Sequence, residues 1–324
     1  MRLTAPIPAM NGPQFDQEVR GDGGYVWWYV DALSDDGLHG LTMIAFIGSV
    51  FSPYYAWSNW VDPLQHCAIN VALYRLDSDG GPLSGKWAMT ERGAKFVSRD
   101  ATHLTVGPSG LRWEDGVLVA DIEEITFPLP SRLTGTIRLT PEVQTSAVVT
   151  LDSNGRHIWR PLAPRARVDL GFKSPALKWS GAGYFDSNHG DEPLERAFQS
   201  WHWGRAHRDH DIRLYYDVAQ RDGIKSDLAL KIGHDGSVEQ IATPPTQALK
   251  STFWQIDRTA WSDQGTIIEV VKTLEDTPFY ARSALKAQIE GEATIMMHES
   301  LNLDRIKSPI VRAMLPFRMP RRNF

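Results

Sequence analysis

Residues 24–48, GYVWWYVDALSDDGLHGLTMIAFIG, form the stretch that decides the fold. Two runs rich in aromatic and β-branched residues, 24–31 and 39–48, flank the turn sequence SDDG at 34–37. Aromatic and β-branched residues favour strands, and Ser, Asp and Gly favour a tight turn between them. The stretch therefore predicts a β-hairpin.

Short strands of the same kind are predicted along the rest of the chain, where Asp-Gly, Ser-Gly and Asn-Gly turns separate them. A helical pattern is confined to residues 193–199 and 303–314, and both segments are short. About 15 to 18 short strands at this spacing are typical of β-sandwiches and β-barrels. We therefore expect an all-β protein with few short helices.

A weak internal repeat predicts two domains. YVWWYV at 25–30 resembles FQSWHW at 198–203, and each sequence opens one half of the chain. The 324 residues are enough for two units of roughly 150 residues each. We expect two tandem β-barrels, residues 1–175 and 176–324, after the proline-containing connection 162–175. One large sandwich is the alternative.

The composition restricts the classes of function. A net charge of −5 argues against a nucleic acid partner, and Cys67 as the single cysteine argues against a disulfide framework or a thiolate metal cluster. The twelve Trp residues favour apolar pockets or a membrane surface. The longest apolar run, 41–51, is shorter than the about 20 residues that span a bilayer, and residues 1–14 lack the apolar region of a secretory signal. We expect a cytoplasmic protein, either free or peripheral at the inner or intracytoplasmic membrane.

Residues 154–205 hold the candidate chemical groups. His157 and Trp159 form one i, i+2 pair, and Tyr184 and Asp186 form a second. Alternate residues of a strand face the same side, so each pair is expected to share one wall of a cavity. A carboxyl, a group that orients it and aromatic rings that stabilise a cation suit acid-initiated chemistry on an apolar substrate. The alternatives are structural: the carboxyl caps the turn that follows it, the histidine is satisfied beside a turn, and the rings pack in a core.

Several long motifs resemble those of carotenoid 1,2-hydratases, also called hydroxyneurosporene synthases. They are GGYVWWYVDALSDDG at 23–37, HGLTMIAFIGSVFSPYYAW at 39–57, GAGYFDSNHGDEPLERAFQSWHWGRAH at 181–207, STFWQIDR at 251–258, HESLNLDR at 298–305 and RAMLPFRMPR at 312–321. The resemblance covers nearly the whole chain, and the motifs are specific because they are long and rich in aromatic residues. It implies a lipocalin-like superfamily of two-barrel proteins, which agrees with the two barrels expected above.

The resemblance also implies an activity, the addition of water across the terminal C1=C2 bond of an acyclic carotene such as neurosporene or lycopene. The product is a 1-hydroxy carotenoid, and the resemblance implies neither a redox cofactor nor a metal. By this resemblance Asp186 protonates C2, and a hydrogen bond from His157 strengthens and orients that acid. Trp159 and Tyr184 flank the tertiary cation at C1 until water captures it. A buried carboxyl suits this role because burial disfavours its charged form.

Other residues are candidates on weaker grounds. Asp217 belongs to a second Tyr-x-Asp pair and competes with Asp186 for the role of the acid. The histidines at 202, 207 and 210 do not match a common metal-ligand spacing, so no metal is expected. The candidates for binding the polyene are large aromatic residues, Trp201, Trp203, Tyr54, Tyr55 and Trp57. Packing inside the barrel or at its rim is the alternative for these five.

The C-terminal segment 306–324 carries five basic residues and no acid among its apolar residues. That pattern is typical of an anchor on a membrane surface, and the alternative is a helix docked on the second barrel with a frayed basic end. Two other functions remain open beside hydration. A lipid or carotenoid carrier would use the same cavity without catalysis, and a cyclase-type enzyme of the superfamily would capture the cation internally.

Overall fold

The protein was analysed as a computed structural model that describes residues 1–4, 12–76 and 85–322. Most of these residues lie in antiparallel strands, and the helices are short. The prediction of an all-β class with few short helices is confirmed. Residues 5–11, part of the stretch on which the prediction about a secretory signal depends, lie outside the described residues.

The first part of the chain supplies thirteen strands. In chain order they are β1 (Arg2–Thr4), β2 (Tyr25–Ser34), β3 (His39–Ile47), β4 (Cys67–Arg75), β5 (Lys86–Arg92), β6 (Val97–Arg99), β7 (His103–Val106), β8 (Ser109–Glu114), β9 (Val117–Ile125), β10 (Arg132–Val143), β11 (Val148–Thr150), β12 (His157–Ser174) and β13 (Ala176–Gly190). Helix α1 (Pro53–Trp57) and two 3₁₀ turns, Pro63–Gln65 and Ala94–Phe96, lie between them. The hairpin predicted from residues 24–48 is confirmed as β2 and β3, which pair antiparallel.

The second part supplies the remaining elements. The strands are β14 (Phe198–His207), β15 (Asp211–Gln220), β16 (Lys225–Gly233), β17 (Val238–Ile241), β18 (Thr246–Ala248), β19 (Thr259–Trp261), β20 (Glu269–Asp276), β21 (Tyr280–Ile289), β22 (Glu292–Asn302) and β23 (Arg321–Arg322). The helices are α2 (Leu194–Ala197), α3 (Leu303–Ile306) and α4 (Pro309–Met314), followed by the 3₁₀ turn Leu315–Phe317. Both segments predicted to be helical contain these short helices.

The strands form two large sheets. The first has the order β23-β5-β4-β3-β2-β13-β12-β10-β9-β8-β7-β6, with β11 attached to β12 and β1 to β11. It curls, since β5 approaches β9 across the sheet. The second has the order β17-β16-β15-β14-β22-β21-β20, and β18 and β19 form a separate ribbon. A shared apolar core joins the two sheets, with contributions from β2, β13, β14 and β22.

The hairpin of β12 and β13 differs from the expected organisation. The segment 162–175, expected to be a connection, lies mostly within β12, so that expectation is wrong. The prolines at 161 and 164 argue against a strand in the sequence. In the structure they fall at register shifts, where a strand tolerates proline. The residues after them alternate between buried and exposed, as in a strand. The chain leaves the first sheet after Gly190, beyond the predicted boundary at residue 175, which is the turn of this hairpin.

The C-terminal segment returns to the first sheet. β23 pairs in parallel with β5, and the Arg321 guanidinium donates hydrogen bonds to Glu91 and His66. The expected alternative of a frayed basic end on the second barrel is therefore wrong for these residues. Upstream of β23, the side chains of Ile310 and Phe317 are exposed.

Candidate active site

The β12–β13 hairpin brings three of the four predicted catalytic residues together. Trp159 lies opposite Asn188 in the register of the hairpin, two residues from Asp186. The Trp159 indole Nε1 donates a hydrogen bond of 2.8 Å to Asp186 Oδ2. The Tyr184 hydroxyl, on the same face of β13, donates a second bond of 2.8 Å to the same oxygen. The i, i+2 spacing thus correctly predicted that the phenol and the carboxyl meet.

The Asp186 carboxyl is removed from water. It is 4% exposed, and burial raises its pKa to about 8, although the bonds from Trp159 and Tyr184 oppose the rise. The negative charges of Glu299 and Asp31, which belong to other strands, raise this pKa further. A carboxyl in such surroundings is protonated at neutral pH and can donate its proton.

His157 lies apart from this group. Its Nδ1 is 2.8 Å from the Tyr25 hydroxyl, and its Nε2 is 3.7 Å from Glu192. In the part of the chain that the structure describes, the hydrogen bonds to Asp186 come from Trp159, Tyr184 and Asn188. The predicted bond from His157 to Asp186 is wrong because of the strand register. His157 lies opposite Gly190, four residues or about 13 Å along the strand from Asp186.

A cavity of about 1040 Å³ lies between the two sheets. Its volume reaches the upper end of the range for small-molecule sites. Its lining is mainly apolar and aromatic, and includes Trp27, Tyr29, Ile44, Phe46, Phe51, Met89, Trp201, Phe279 and Leu301. Part of the lining is exposed to solvent, namely Leu129 (84%), Phe253 (86%) and Phe317 (74%). These three residues define what we call the mouth of the cavity.

At least two aromatic rings in succession separate the cavity from Asp186, which is not part of the lining among the described residues. The Tyr29 ring lies in the lining and contacts the Tyr184 ring edge-on, with a centroid distance of 6.0 Å. Trp201, also in the lining, contacts Tyr216, which in turn contacts Trp159. The acid therefore lies behind the aromatic wall of the cavity, with Tyr184 and Trp159 between it and that wall.

The cavity also contains a polar patch that the sequence analysis missed. Glu299 on β22 and Arg282 on β21 are paired across the two strands, and both line the cavity. Arg282 Nη2 lies 2.5 Å from Glu299 Oε1. Burial raises the pKa of Glu299, while the Arg282 charge opposes that rise. The only local signal in the motif HESLNLDR is that Glu299 shares a strand face with the apolar Leu301.

The five aromatic residues predicted to bind substrate fall into two groups. Trp201 lines the cavity, and Trp203 lies behind it, with its ring 5.2 Å from that of Tyr184. The residues of α1, namely Tyr54, Tyr55 and Trp57, lie outside the lining. Tyr55 donates a hydrogen bond to the Gly24 carbonyl and stacks on His66, while Trp57 is exposed and packs against Tyr54. The geometry thus gives the three α1 residues structural contacts instead of the predicted contact with the cavity.

The competing acid and the histidine cluster lie outside the site. Asp217 is half-buried on β15 and lies opposite Asp227 and His202 in adjacent strands. His202 bonds to Ser300, and His207 bonds to the Pro164 carbonyl. Among the described residues, no group of three or more His, Cys, Asp or Glu side chains has a geometry that could hold a metal ion.

Comparison with known proteins identifies the family. The model of the carotenoid hydratase CrtC family matches residues 43–324. The chain belongs to the carotenoid hydratases. The acyclic carotenoid 1,2-hydratase of Thiocapsa roseopersicina is 50% identical over 96% of this chain and 76% of its own length. The corresponding enzyme of Rubrivivax gelatinosus is 46% identical over the same shares.

A solved structure shares the fold of this chain. A Nitrosomonas europaea protein whose crystal structure carries the name AttH superposes with a TM-score of 0.59. The superposition covers 92% of this chain and 99% of that one, at 17% identity. At this identity the likeness shows the fold alone, and it confirms the predicted lipocalin-like class. Among the described helices of this hydratase, none has the length and apolar character that a membrane span needs.

Proposed function

We propose that the protein adds water across the terminal C1=C2 bond of an acyclic carotene such as neurosporene or lycopene, giving a 1-hydroxy carotenoid. The observation that carries this proposal is the state of Asp186. Burial keeps this carboxyl protonated, two fixed donors hold it, and it lies behind the aromatic wall of an apolar cavity. Membership in the carotenoid hydratase family agrees with this chemistry.

The proton for the alkene comes from one oxygen of Asp186. Trp159 and Tyr184 both donate to Oδ2, so in the neutral acid Oδ2 is the carbonyl oxygen and the proton resides on Oδ1. The π electrons of C1=C2 take this proton at C2 and leave a tertiary cation at C1. The ring faces of Trp159 and Tyr184 stabilise that cation by about 0.5–2 kcal/mol each.

Water completes the reaction. Its oxygen forms the bond to C1, and the proton that it loses balances the proton given to C2. Hydration neither oxidises nor reduces the carotene, so the proposed steps require no redox cofactor. For the alkene to reach Asp186, the side chains of Trp201 and Tyr216 have to turn aside, since they lie between the cavity and Trp159.

The first test is a product assay. The purified protein is incubated with lycopene in detergent micelles, and the pigments are analysed by mass spectrometry for the addition of one water. We expect a hydrated product from the wild type and none from Asp186→Asn. Asp217→Asn is the matched control and is expected to retain activity, because Asp217 lies outside the site.

The other outcomes of this assay separate the alternative functions. Pigment that stays bound to the wild type without any product would contradict the proposal and indicate a carrier. A product of unchanged mass with a new ring would indicate a cyclase. Hydration that survives in Asp186→Asn would contradict the assignment of the acid.

We also infer that the mouth of the cavity contacts a membrane surface, from which the carotene enters. Leu129, Phe253 and Phe317 belong to three separate segments, yet their exposed side chains all lie at this one opening. Large apolar side chains that share one exposed patch are typical of a membrane or partner contact. Lys86 and Arg318 line the same opening and favour anionic headgroups.

A further inference from the structure

The proposed hydration also needs a group that accepts a proton from the attacking water, and Glu299 is the candidate. Its side chain is 13% exposed, and it lines the cavity in which the substrate would lie. Asp186 lies behind the aromatic wall of the cavity, and the negative charge of Glu299 contributes to raising its pKa. One carboxyl group therefore lies in the cavity lining, and a second, neutral one lies behind the rings within reach of its charge.

The hydrogen bonds of the Tyr29 hydroxyl indicate that the Glu299 carboxyl can take up a proton. The hydroxyl oxygen is 2.8 Å from Asp31 Oδ2 and 2.8 Å from Glu299 Oε1. One hydroxyl proton can be donated to only one of these two oxygens. The row of three oxygens is fully hydrogen-bonded only when a second proton is present. Asp31 accepts a hydrogen bond of 2.7 Å from Arg205 Nε, and Glu299 accepts one from Arg282 Nη2. Either carboxyl can therefore hold the second proton, and a proton on Glu299 completes the row.

Two unpaired polar atoms in the cavity lining offer hydrogen bonds to a bound water. Arg282 Nη1 is buried and has no hydrogen-bond partner among the described residues, although Nη2 of the same side chain bonds to Glu299. Asn70 Oδ1, also in the cavity lining, is likewise without a partner there. Buried water occupies sites of this kind, where otherwise unsatisfied polar atoms line a cavity.

From these contacts we propose that Glu299 is the general base of the hydration and that it holds the attacking water together with Arg282. As the water oxygen forms its bond to C1, one O–H bond breaks and its proton moves to the Glu299 carboxylate. The neutral Glu299 then donates to the Tyr29 oxygen, and the Tyr29 hydroxyl turns to Asp31. The proton afterwards leaves to solvent and Asp186 takes up another, so that one carotene and one water give one alcohol.

The two carboxyl groups suit opposite roles. Burial, with a smaller contribution from the charge of Glu299, raises the pKa of Asp186. Burial also raises the pKa of Glu299, but there the Arg282 charge opposes the rise and favours the charged form. Two titratable groups that are held in different protonation states are the usual arrangement of an acid and a base in one site. The inference rests on the proposed hydration, and its test has to separate proton donation from water capture.

Deuterium exchange makes that separation. In D₂O, Asp186 delivers a deuteron to C2, and a cation that water does not capture loses a proton and returns to the alkene with deuterium at C2. Glu299→Gln keeps hydrogen-bonding groups toward Tyr29 and Arg282 but cannot accept the proton. We expect its hydration rate to fall by about 10²- to 10⁴-fold, while recovered lycopene still gains deuterium.

The controls make each outcome decisive. Glu292→Gln alters a glutamate of the same strand that pairs with Arg208 away from the cavity, and it is expected to hydrate like the wild type. Wild-type hydration in Glu299→Gln, or loss of both hydration and exchange, would overturn the role as base. Absence of hydration by the wild type would instead refute the proposed function, and exchange in Asp186→Asn would refute the assignment of Asp186 as the acid.

A pH profile supplies a second readout that a merely structural role would not move. The exchange rate requires protonated Asp186 and is expected to fall as pH rises through about 8. Removing the charge of Glu299 lowers the pKa of Asp186, so in Glu299→Gln the exchange rate falls at a lower pH than in the wild type. If the exchange rate fell at the same pH in both proteins, the proposed electrostatic effect of Glu299 on Asp186 would be contradicted.

Discussion

At the scale of single residues, Asp186 links the stability of the fold to pH. Its pKa is raised from 3.8 to about 8 by burial. The folded state therefore holds a proton that the unfolded chain releases above about pH 4. The contribution of this carboxyl to stability is complete below about pH 4, and it is lost as pH rises through about 8.

Asp186→Asn removes this dependence, because an amide does not titrate and its oxygen still accepts from Trp159 and Tyr184. We expect the variant to gain stability relative to the wild type as pH rises, by about 2 kcal/mol or more between pH 5 and 9, since one unit of pKa shift corresponds to about 1.4 kcal/mol. Urea denaturation at both pH values measures this difference. A difference between variant and wild type that is the same at both values would contradict the buried neutral acid.

The residue pattern predicted only part of the site. The i, i+2 rule gave the shared face of Tyr184 and Asp186, because alternation depends on one strand alone. The rule does not give the register between strands, so the placement of His157 failed. Glu299 was missed for a related reason: its partners Tyr29 and Arg282 lie on other strands, and local sequence does not reveal such pairs.

At the scale of elements, local patterns were sufficient where a turn joins neighbouring strands. The hairpin of β2 and β3 was predictable from its aromatic runs and the SDDG turn. β12 was not, because its two prolines argued against a strand, and the bulges that accommodate them depend on pairing with β13. The pairing of β13 with β2 joins distant segments and has no local signal.

The short strand β23 gives an element-scale prediction. Arg321 contacts Glu91, which is 1% exposed, and this contact accompanies the pairing of β23 with β5. Arg321→Ala would leave the buried Glu91 carboxylate without the positive charge of this arginine. We therefore expect the variant to lower the free energy of unfolding by about 2–4 kcal/mol. Arg322→Ala, at an exposed position of the same strand, is the control and is expected to change it by about 0.5 kcal/mol or less. Urea denaturation compares the two, and equal effects would show that the ion pair does not hold the strand.

At the scale of the whole molecule, the cavity connects the surface with the proposed site. Its mouth lies at Leu129, Phe253 and Phe317, and its aromatic wall lies in the core between the two sheets. An apolar polyene that entered at the mouth would therefore remain shielded from water until one end reached the wall. This path gives a reason for placing the mouth on a membrane, where a carotene resides.

The proposed contact with the membrane predicts how the protein partitions onto vesicles. Replacing both Phe253 and Phe317 by Ser removes two exposed rings from the mouth. Burial of one such side chain contributes about 1.5–3 kcal/mol, so a loss of at least about tenfold in binding is expected. Cosedimentation with vesicles of phosphatidylcholine and phosphatidylglycerol measures the partition. Ile267→Ser is the matched control, because Ile267 is 88% exposed but lies outside the cavity lining.

The same variants show whether the membrane contact serves delivery of the substrate. If it does, the double variant hydrates lycopene normally in detergent micelles, because micelles present the carotene without a bilayer. It then hydrates lycopene slowly when the carotene is embedded in the vesicles, while Ile267→Ser behaves like the wild type in both assays. Equal vesicle binding by the double variant and the wild type would refute the mouth as the contact surface. Weak binding with undiminished turnover from vesicles would mean that the carotene enters by another path.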